Sequence, residues 1–175
     1  MYLVRFGEIF TKGKNRDKFL ETLKENIKII TGCKEFVNLR TCYLIDTCKD
    51  LDKIPGIVSY SEVLICDFKE INQTALKLIH NEKTFRVRAN RSTKVYKTSN
   101  EIEKELGEFI VNNTNLKVDL DNPELTIYGS IIKNKAYIYK NKIKCIGGLP
   151  VGCEAEVLIK VNDERLSTVA GFLML

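Results

Sequence analysis

In the first part of the chain, some stretches have apolar residues at the spacing of a strand and others at the spacing of a helix. An apolar stretch at residues 2–6 (YLVRF) predicts a first strand. From residue 16 to residue 30 the apolar positions repeat at helical spacing, which predicts a helix that begins after the cap residue Asn15 and ends before Gly32. The residues that mark its buried face are Phe19, Leu23, Ile27 and Ile30.

Shorter apolar stretches follow, and their order is that of a familiar arrangement. Residues 35–41 and 42–48 predict two strands, residues 50–54 a short helix, and residues 59–68 one alternating strand. The order is therefore β-α-β-β-α-β, which is typical of a ferredoxin-like domain. The glycine and lysines of residues 7–14 predict a flexible basic loop before the first helix.

The second part of the chain begins a new pattern. Residues 71–79 are amphipathic, and residues 83–91 (KTFRVRANR) alternate as a strand. Side chains two apart on a strand share a face, so we expect both arginines of this strand to face solvent. One face comprises Phe85, Val87 and Ala89, and the other Arg86, Arg88 and Asn90.

A capping box, a hairpin and a glycine-rich stretch follow this strand. Thr98 and Glu101 have the spacing of a capping box and predict the start of a helix. Residues 124–140 predict a hairpin that turns at about Asn134. Residues 142–152 then have the composition of a linker, and residues 154–161 predict a last strand. The apolar face of the predicted helix comprises Ile102, Leu106, Phe109 and Ile110.

Composition places the chain among ordinary globular proteins. With 175 residues, 44% hydrophobic and 29% charged, it has room for one domain or two small ones. The N-terminus lacks the features of a signal peptide and the chain lacks an apolar run of membrane-spanning length, so we expect a cytoplasmic protein without a membrane partner. Its six cysteines form no C-x-x-C pair and its only histidine is His80, so no metal or other cofactor is predicted.

Positive charge adds a functional hypothesis, because it is concentrated in three stretches that contain almost no acidic residue. These stretches lie at residues 12–18, 83–97 and 133–144 of a chain whose net charge is +5. Polyanionic RNA is attracted to such stretches because binding releases counterions from its phosphates. The alternative is that the cations only solvate a sheet face. The candidate RNA-binding residues are Lys12, Lys14, Asn15, Arg16, Arg86, Arg88, Asn90, Arg91, Lys94, Lys97 and Lys144.

Catalytic patterns are weak by comparison. A single histidine gives little basis for a Ser-His-Asp or Cys-His arrangement. The segment TKGKN at residues 11–15 lacks the spacing of a phosphate-binding Walker loop. We therefore predict no catalytic residues.

Four stretches carry a resemblance to a family. Residues 6–27 (FGEIFTKGKNRDKFLETLKENI) resemble the start of the tRNA 4-thiouridine synthetases. Residues 84–110 and 116–139 are similar to the THUMP domain, a tRNA-binding module, and GGLPVG at 147–152 resembles the linker to the family's ATP-pyrophosphatase domain.

The resemblance implies an α+β chain with three segments. Residues 1–69 would form a ferredoxin-like domain, residues 70–148 a THUMP domain, and residues 149–175 the linker and a vestigial start of an ATP-pyrophosphatase domain. It further implies that the first two segments bind the acceptor region of tRNA, including its 3′ single strand. The family positions that match lie in the first basic stretch and on the arginine strand.

The C-terminal turn departs from the family pattern. Where the family has a loop like Ser-Gly-Gly-x-Asp-Ser, this chain has Asn162 to Ser167, and only the last serine is kept. Glycines let backbone N–H groups approach phosphate, whereas Asp163 and Glu164 add bulk and negative charge. We therefore expect a chain that binds tRNA without catalysis. The tail has helical spacing at Val169, Phe172 and Leu173, and we expect it to pack on the rest of the chain.

Several alternatives stay open on sequence alone. The chain could be the RNA-binding subunit of a split 4-thiouridine synthetase, or an adaptor for another modifying enzyme such as a tRNA acetyltransferase. It could instead be a protein-interaction module that docks through its C-terminal helix. A homodimer through the same tail is the alternative to intramolecular packing.

Overall fold

A computed structural model describes residues 1–92, 97–155 and 160–174. The first part of the chain begins with a strand, a 3-10 helix and a long α-helix, and three strands follow. The elements are β1 (Tyr2–Phe6), a 3-10 helix (Glu8–Asn15), α1 (Arg16–Thr31), β2 (Phe36–Asn38), β3 (Cys42–Ile45), a 3-10 turn (Leu51–Lys53) and β4 (Ile57–Glu62).

The second part alternates helices and strands, and the described chain ends in a helix. The elements are β5 (Leu64–Asp67), α2 (Ile71–Leu76), β6 (Thr84–Arg91), α3 (Ser99–Asn113), β7 (Lys117–Val118), β8 (Leu125–Ile132), β9 (Lys135–Tyr139), β10 (Ile143–Lys144) and α4 (Glu164–Met174). A 3-10 turn, Phe68–Glu70, leads into α2.

The strands form two five-stranded sheets. Their orders are β10-β4-β1-β3-β2 and β5-β9-β8-β6-β7. The prediction of one strand over residues 59–68 is wrong, because the chain forms two strands there, one in each sheet. Between them the buried Val63 donates its backbone N–H to the carbonyl of Met1 at 3.0 Å, outside both strands.

Helix α1 confirms the predicted span and most of the predicted face. Leu20 is buried together with three of the four predicted residues, but Ile30 is 44% exposed, so its inclusion in the buried face was wrong. Gly32 ends the helix in the left-handed conformation, with φ 67°. Asn15 lies at the N-cap position, although its side chain makes no capping hydrogen bond there.

The predicted flexible loop at residues 7–14 is instead helical. The 3-10 helix Glu8–Asn15 bends at Gly13, where φ is 54° and ψ is −124°. L-residues rarely adopt that conformation, so glycine allows the chain to turn directly from one helix into the next. Eight residues are too few for a helical hydrophobic period to be distinguished from a loop, which is why the sequence did not reveal this element.

The second sheet carries a core between β6, β8 and helices α2 and α3. Phe85, Ile102 and Ile127 belong to this buried cluster. The capping box is confirmed: the Thr98 hydroxyl accepts from the N–H of Glu101, and the Glu101 carboxylate accepts from the N–H of Thr98. Phe109, predicted on the apolar face, is half-buried. The hairpin between β8 and β9 turns at residues 133–134 as predicted.

The stretch predicted to be a linker pairs with the first sheet. β10 runs antiparallel to β4, with Ile143 opposite Tyr60 and Lys144 opposite Ser59. Gly147 continues this attachment, because its carbonyl accepts from the N–H of Gly56 at 2.7 Å and its N–H donates to Ile57 at 2.8 Å. Of the predicted last strand at 154–161, residues 156–159 lie outside the described residues.

The tail forms the predicted helix, α4, but two of the three residues expected to pack on the rest of the chain, Val169 and Phe172, do not; the side chain of the third, Leu173, lies outside the described residues. Leu166, Val169 and Phe172 are all exposed. The start of α4 is capped locally, because the Asp163 carboxylate accepts from the N–H of Leu166 at 2.9 Å. Within the described residues, no helix is long and apolar enough to span a bilayer.

The chain divides into two compact units. The unit around α1, here the α1 unit, comprises Val4–Val37, Ile45–Tyr60 and Ile143–Leu175. The unit around β6, here the β6 unit, comprises Met1–Leu3, Asn38–Leu44 and Ser61–Lys142. Each unit therefore gathers separated segments, and the domain boundaries given above stay a prediction.

Candidate nucleic-acid interface

Strand β6 carries the arginine face of the β6 unit. The strand buries Phe85 and Val87, so the alternating pattern turns Arg86, Arg88 and Asn90 to the opposite face. Parallel pairing with β8 places Thr126, Tyr128 and Ser130 beside those residues in the same order. The predicted division of the strand into an apolar and a basic face is therefore confirmed.

The two arginines of this face differ in their surroundings. Arg88 is exposed, as expected. Arg86 is half-buried, with its Nε donating to Thr126 Oγ1 and its Nη1 donating to the carbonyl of Leu120, both at 3.1 Å. The expectation that both side chains face solvent is thus correct for Arg88 and wrong for Arg86. The guanidinium of Arg86 fixes the chain after β7, while that of Arg88 is exposed to solvent.

The strand's end and the start of α3 carry the other predicted residues of this unit. Asn90 is exposed and Arg91 is half-buried. Lys97 is exposed and forms an ion pair with Glu105 of α3. Lys94 lies outside the described residues. An exposed ion pair contributes little free energy, so the Lys97 ammonium can exchange its partner for a phosphate at low cost.

Tyr128 borders the arginine face. It lies beside Arg88 in the strand register, and its ring stacks on that of Tyr139 with 5.1 Å between centroids. Tyr139 in turn is buried, and its hydroxyl lies 3.5 Å from that of Ser130. A packed aromatic pair therefore lies next to the arginine face on the neighbouring strands.

The first basic stretch lies in the α1 unit. Lys14 and Asn15 are exposed at the junction of the 3-10 helix and α1. The Lys12 ammonium lies 3.3 Å from Glu154 Oε1 and 4.9 Å from the ring centroid of Phe19. Arg16 places its guanidinium carbon 4.4 Å from the ring centroid of Phe10. Aromatic rings thus hold two of the predicted cations in place.

The segment after β10 also contacts these cations, which the sequence did not reveal. The Lys18 ammonium donates to the carbonyl of Cys153 at 3.1 Å, and Asn26 donates to the carbonyl of Val151 at 3.0 Å. Together with Glu154, these contacts hold residues 151–154 along α1. In these contacts the donor and the acceptor lie far apart along the chain, 125 residues in the Asn26 bond, so no local sequence pattern marks them. The remaining predicted residue of this unit, Lys144 in β10, is exposed.

The structure therefore distributes the predicted residues over two units. The α1 unit holds Lys12, Lys14, Asn15, Arg16 and Lys144. The β6 unit holds Arg86, Arg88, Asn90, Arg91 and Lys97. Phe10, 42% exposed and packed against the Arg16 guanidinium, lies just before the first basic stretch and is a candidate that sequence reasoning missed, because its own neighbours in the sequence, Ile9 and Thr11, are not basic.

The cysteines have the environment of structural residues. None of the six cysteines, all of which the structure describes, forms a disulfide, and Cys42, Cys66 and Cys153 are buried. Burial raises the pKa of the Cys145 thiol to about 11, with a further contribution from the Asp52 carboxylate, so this thiol stays protonated at neutral pH. Across the described ranges, no three His, Cys, Asp or Glu side chains are grouped as metal ligands would be.

In the turn before α4, the acidic residue Asp163 accepts two backbone hydrogen bonds. Asp163 accepts from the N–H of Leu166 with its carboxylate and from the N–H of Ser167 with its carbonyl, the latter at 2.9 Å. Backbone N–H groups at a helix start are the donors that a bound phosphate requires. Here a carboxylate already takes one of them, and its charge opposes a second anion.

Two domain families match the sequence. The ThiI ferredoxin-like domain matches residues 1–61, and the THUMP domain matches residues 66–141. A probable tRNA sulfurtransferase of Mycoplasmopsis agalactiae is 35% identical over 181 residues, an alignment that covers 99% of this chain and 48% of the relative. The chain thus spans about half the length of the curated relatives it matches.

Solved structures give the same comparison in three dimensions. A 4-thiouridine synthetase, solved as an RNA complex with bound ATP, matches with a TM-score of 0.80 at 32% identity, covering 99% of this chain and 49% of that one. A Pyrococcus horikoshii protein matches with a TM-score of 0.85 at 36% identity, covering 99% of this chain and 64% of that one.

Proposed function

Because the chain carries a ThiI ferredoxin-like domain followed by a THUMP domain, we propose that it is a non-catalytic tRNA-binding protein. In this proposal it recognises the acceptor region of tRNA in connection with tRNA modification. The observation that carries the proposal is the exposed arginine face of β6, where Arg88 and Asn90 stand beside the half-buried Arg86.

Electrostatics supports RNA as the ligand. The three residues of this face have Thr126, Tyr128 and Ser130 as neighbours on β8, and none of these is acidic. Guanidinium groups bind phosphate oxygens through two N–H groups at once, and the amide of Asn90 can donate to phosphate or to a base edge. The first basic stretch adds the exposed Lys14 on the α1 unit.

The acceptor region is what the resemblance to the tRNA 4-thiouridine synthetases implies, and similarity to a solved structure supports RNA as the ligand. The matching 4-thiouridine synthetase structure is an RNA complex, and this chain aligns with it over 99% of its own length. In this proposal, a separate enzyme modifies the tRNA that the chain binds.

The non-catalytic part of the proposal rests on the α4 turn. A triphosphate placed there would meet the Asp163 carboxylate at a few ångströms. Like-charge repulsion at that distance costs about 1–4 kcal/mol in a partly screened site. We therefore expect this turn not to bind ATP.

Filter-binding titrations of tRNA at about 50, 100 and 200 mM salt test the proposal. We expect affinity to fall as salt rises, with a log–log slope on the order of −3 or steeper, because several phosphates are neutralised. Absence of binding at the lowest salt, or an affinity independent of salt, would contradict the proposal. A titration with ATP should give no saturable binding.

A second function, docking on a protein partner through α4, is favoured by the exposed apolar side chains of that helix. Leu166, Val169 and Phe172 recur at helical spacing, and Phe172 is 63% exposed. Exposed apolar faces of this kind mark interaction sites. The partner could be the ATP-pyrophosphatase chain of a split synthetase, another tRNA-modifying enzyme or a second copy of this chain.

Deleting residues 166–175 tests this second function, with Arg165→Ala as the matched control on an exposed polar residue of α4. We expect the deletion to abolish self-association in light scattering, or co-purification with an ATP-pyrophosphatase protein. The unfolding midpoint and tRNA affinity should stay unchanged, because the described apolar side chains of α4 contribute little burial. A chain that unfolds on deletion would show that the tail belongs to the core.

A further inference from the structure

A groove opens in the β6 unit where helix α3 leaves the edge of the second sheet uncovered. β7 is the edge strand of this sheet, and its Val118 pairs with Phe85 of β6, so both side chains lie on the same face. Phe85 is buried in the core beside α3 at 1% exposure, whereas Val118 is 53% exposed. The groove between α3 and β7, here the α3–β7 groove, has a volume of about 510 Å³.

The lining of the α3–β7 groove presents apolar surface to solvent. Val111 of α3 is 42% exposed, and Leu120, which follows β7, is 66% exposed. Gly107 lines the groove from the middle of α3, where a Cβ would meet no described atom within 4 Å. Glycine inside a helix lowers the stability of that helix relative to alanine. The missing side chain therefore keeps the groove open at a cost in helix stability.

The backbone of β7 offers hydrogen bonds along the same edge. Lys117 donates its N–H to the carbonyl of Lys83 at 3.0 Å. Asp119 donates its N–H to the carbonyl of Phe85 at the same distance. Because successive N–H groups of a strand point to opposite sides, the N–H and the carbonyl of Val118 point away from the sheet. An extended segment can therefore lie beside β7 and place alternate side chains in the groove.

The charge around the groove is opposite in sign to that of the whole chain. Residues 99–124, which include both walls, contain seven acidic residues and two lysines, although the chain has a net charge of +5. Two cations lie in the lining, Arg86 and Lys104. The Arg86 guanidinium already donates to the carbonyl of Leu120, and the Lys104 ammonium lies 4.0 Å from the Glu108 carboxylate. The surplus of acidic residues therefore attracts a basic segment and repels RNA.

We propose that the α3–β7 groove is the docking site for a partner protein, which inserts an extended segment of apolar residues flanked by lysine or arginine. The segment adds to the sheet beside β7, its apolar side chains pack on Val111, Val118 and Leu120, and its cations meet the acidic walls. Helix α4 of a second copy is a poorer match, because the acidic Asp163 and Glu164 lie at its start. This inference goes beyond the proposed function, because RNA is not the ligand of the groove.

Selection of a phage-displayed library of random peptides on the wild-type chain and on Gly107→Leu tests the inference. Leucine has space at this position and favours a helix over glycine, so the variant should unfold at a higher denaturant concentration while its side chain fills the groove. We expect the wild type to enrich peptides in which apolar residues are flanked by lysine or arginine. The best of them, made synthetically, should bind Gly107→Leu at least about tenfold more weakly. No enrichment of such peptides, or equal affinity of the two proteins, would overturn the proposal.

Val118→Thr and Ile65→Thr form a matched pair on the two edge strands of the same sheet. Each replaces an exposed β-branched apolar side chain by a polar one, and Ile65 of β5 is 40% exposed outside the groove. We expect Val118→Thr to weaken binding of the synthetic peptide about threefold or more and Ile65→Thr to leave it unchanged. Equal losses in the two variants would contradict a site beside β7.

Charge reversal tests the acidic walls. The double variant Glu108→Lys with Asp121→Lys should enrich peptides whose apolar residues are flanked by aspartate or glutamate. The affinity of the wild type for its basic peptide should fall as salt rises, because exposed charges are screened. An unchanged peptide preference in the double variant, or an affinity independent of salt, would overturn the match in charge.

Two further measurements distinguish this partner from the other possible occupants. A synthetic peptide of residues 161–175 should compete at least about tenfold less well than the selected peptide, and stronger competition would assign the groove to a second copy of the chain. Gly107→Leu should bind tRNA as the wild type does, and a loss of tRNA affinity would assign the groove to RNA. Either result would overturn the proposal. Because tRNA binding by the wild type is measured separately, failure to bind peptides leaves the proposed function standing.

Discussion

Arg86 and Arg88 lie two residues apart on one face of β6, yet their side chains have different roles. The Arg86 guanidinium makes two hydrogen bonds, one across to β8 and one to the chain that follows β7. Arg88 is exposed beside the ring of Tyr128. The sequence predicts their common face correctly, because strand alternation is local. It does not predict the hydrogen bond from Arg86 to the carbonyl of Leu120, because that bond depends on the path of the chain after the edge strand β7.

The two single variants should therefore separate stability from RNA affinity. Arg88→Ala should weaken tRNA binding and reduce the salt slope by about one, because one phosphate contact is lost, and should leave the free energy of unfolding unchanged. Arg86→Ala should lower the free energy of unfolding by about 1–2 kcal/mol, because the carbonyl of Leu120 and the Thr126 hydroxyl lose a charged donor. Denaturant unfolding and filter binding measure the two quantities. The reverse result would assign the phosphate contact to Arg86.

Elements with a strong local pattern are those that sequence analysis predicts well. The capping box of Thr98 and Glu101 marks the start of helix α3 in the sequence. The β8–β9 hairpin is marked by its alternating apolar residues and its turn. No such local pattern marks the division of residues 59–68 into β4 and β5, because the two strands form by pairing with other strands in different sheets. β10 has only two residues, and its pairing with β4 decides its conformation.

The bend at Gly13 is the element-scale feature on which the first basic stretch depends. A Cβ at Gly13 would meet no described atom within 4 Å, so the obstacle to a side chain there is the backbone conformation alone. We expect Gly13→Ala to lower the free energy of unfolding by about 1–2 kcal/mol, because φ 54° is strained for an L-residue. It should also weaken tRNA binding, since the bend positions Lys14, Asn15 and Arg16 at the start of α1.

Gly107→Ala is the control for that variant. A Cβ at Gly107 likewise meets no described atom within 4 Å, but this residue lies inside α3 and has no positive φ. Alanine favours a helix over glycine, so we expect about 0.5–1 kcal/mol of added stability and unchanged RNA affinity. Chemical denaturation of the three proteins measures the difference. Equal stability of Gly13→Ala and wild type would show that the bend is not required.

At the scale of the whole molecule, the chain combines two compact units, each with its own set of cations. The α1 unit presents Lys14 and Arg16, and the β6 unit presents Arg88 and Asn90. Residues 151–154, which the sequence describes as linker and strand, are held along α1 by side chains of that helix.

In the proposed function, the basic residues of this chain bind the acceptor region of tRNA. Competition between tRNA and its isolated parts tests it most directly, with a minihelix of the acceptor stem and its 3′ tail against an anticodon arm of equal length. We expect the minihelix to displace labelled tRNA at a concentration close to that of intact tRNA, and the anticodon arm to require at least about tenfold more. Equal competition by the two fragments would contradict recognition of the acceptor region.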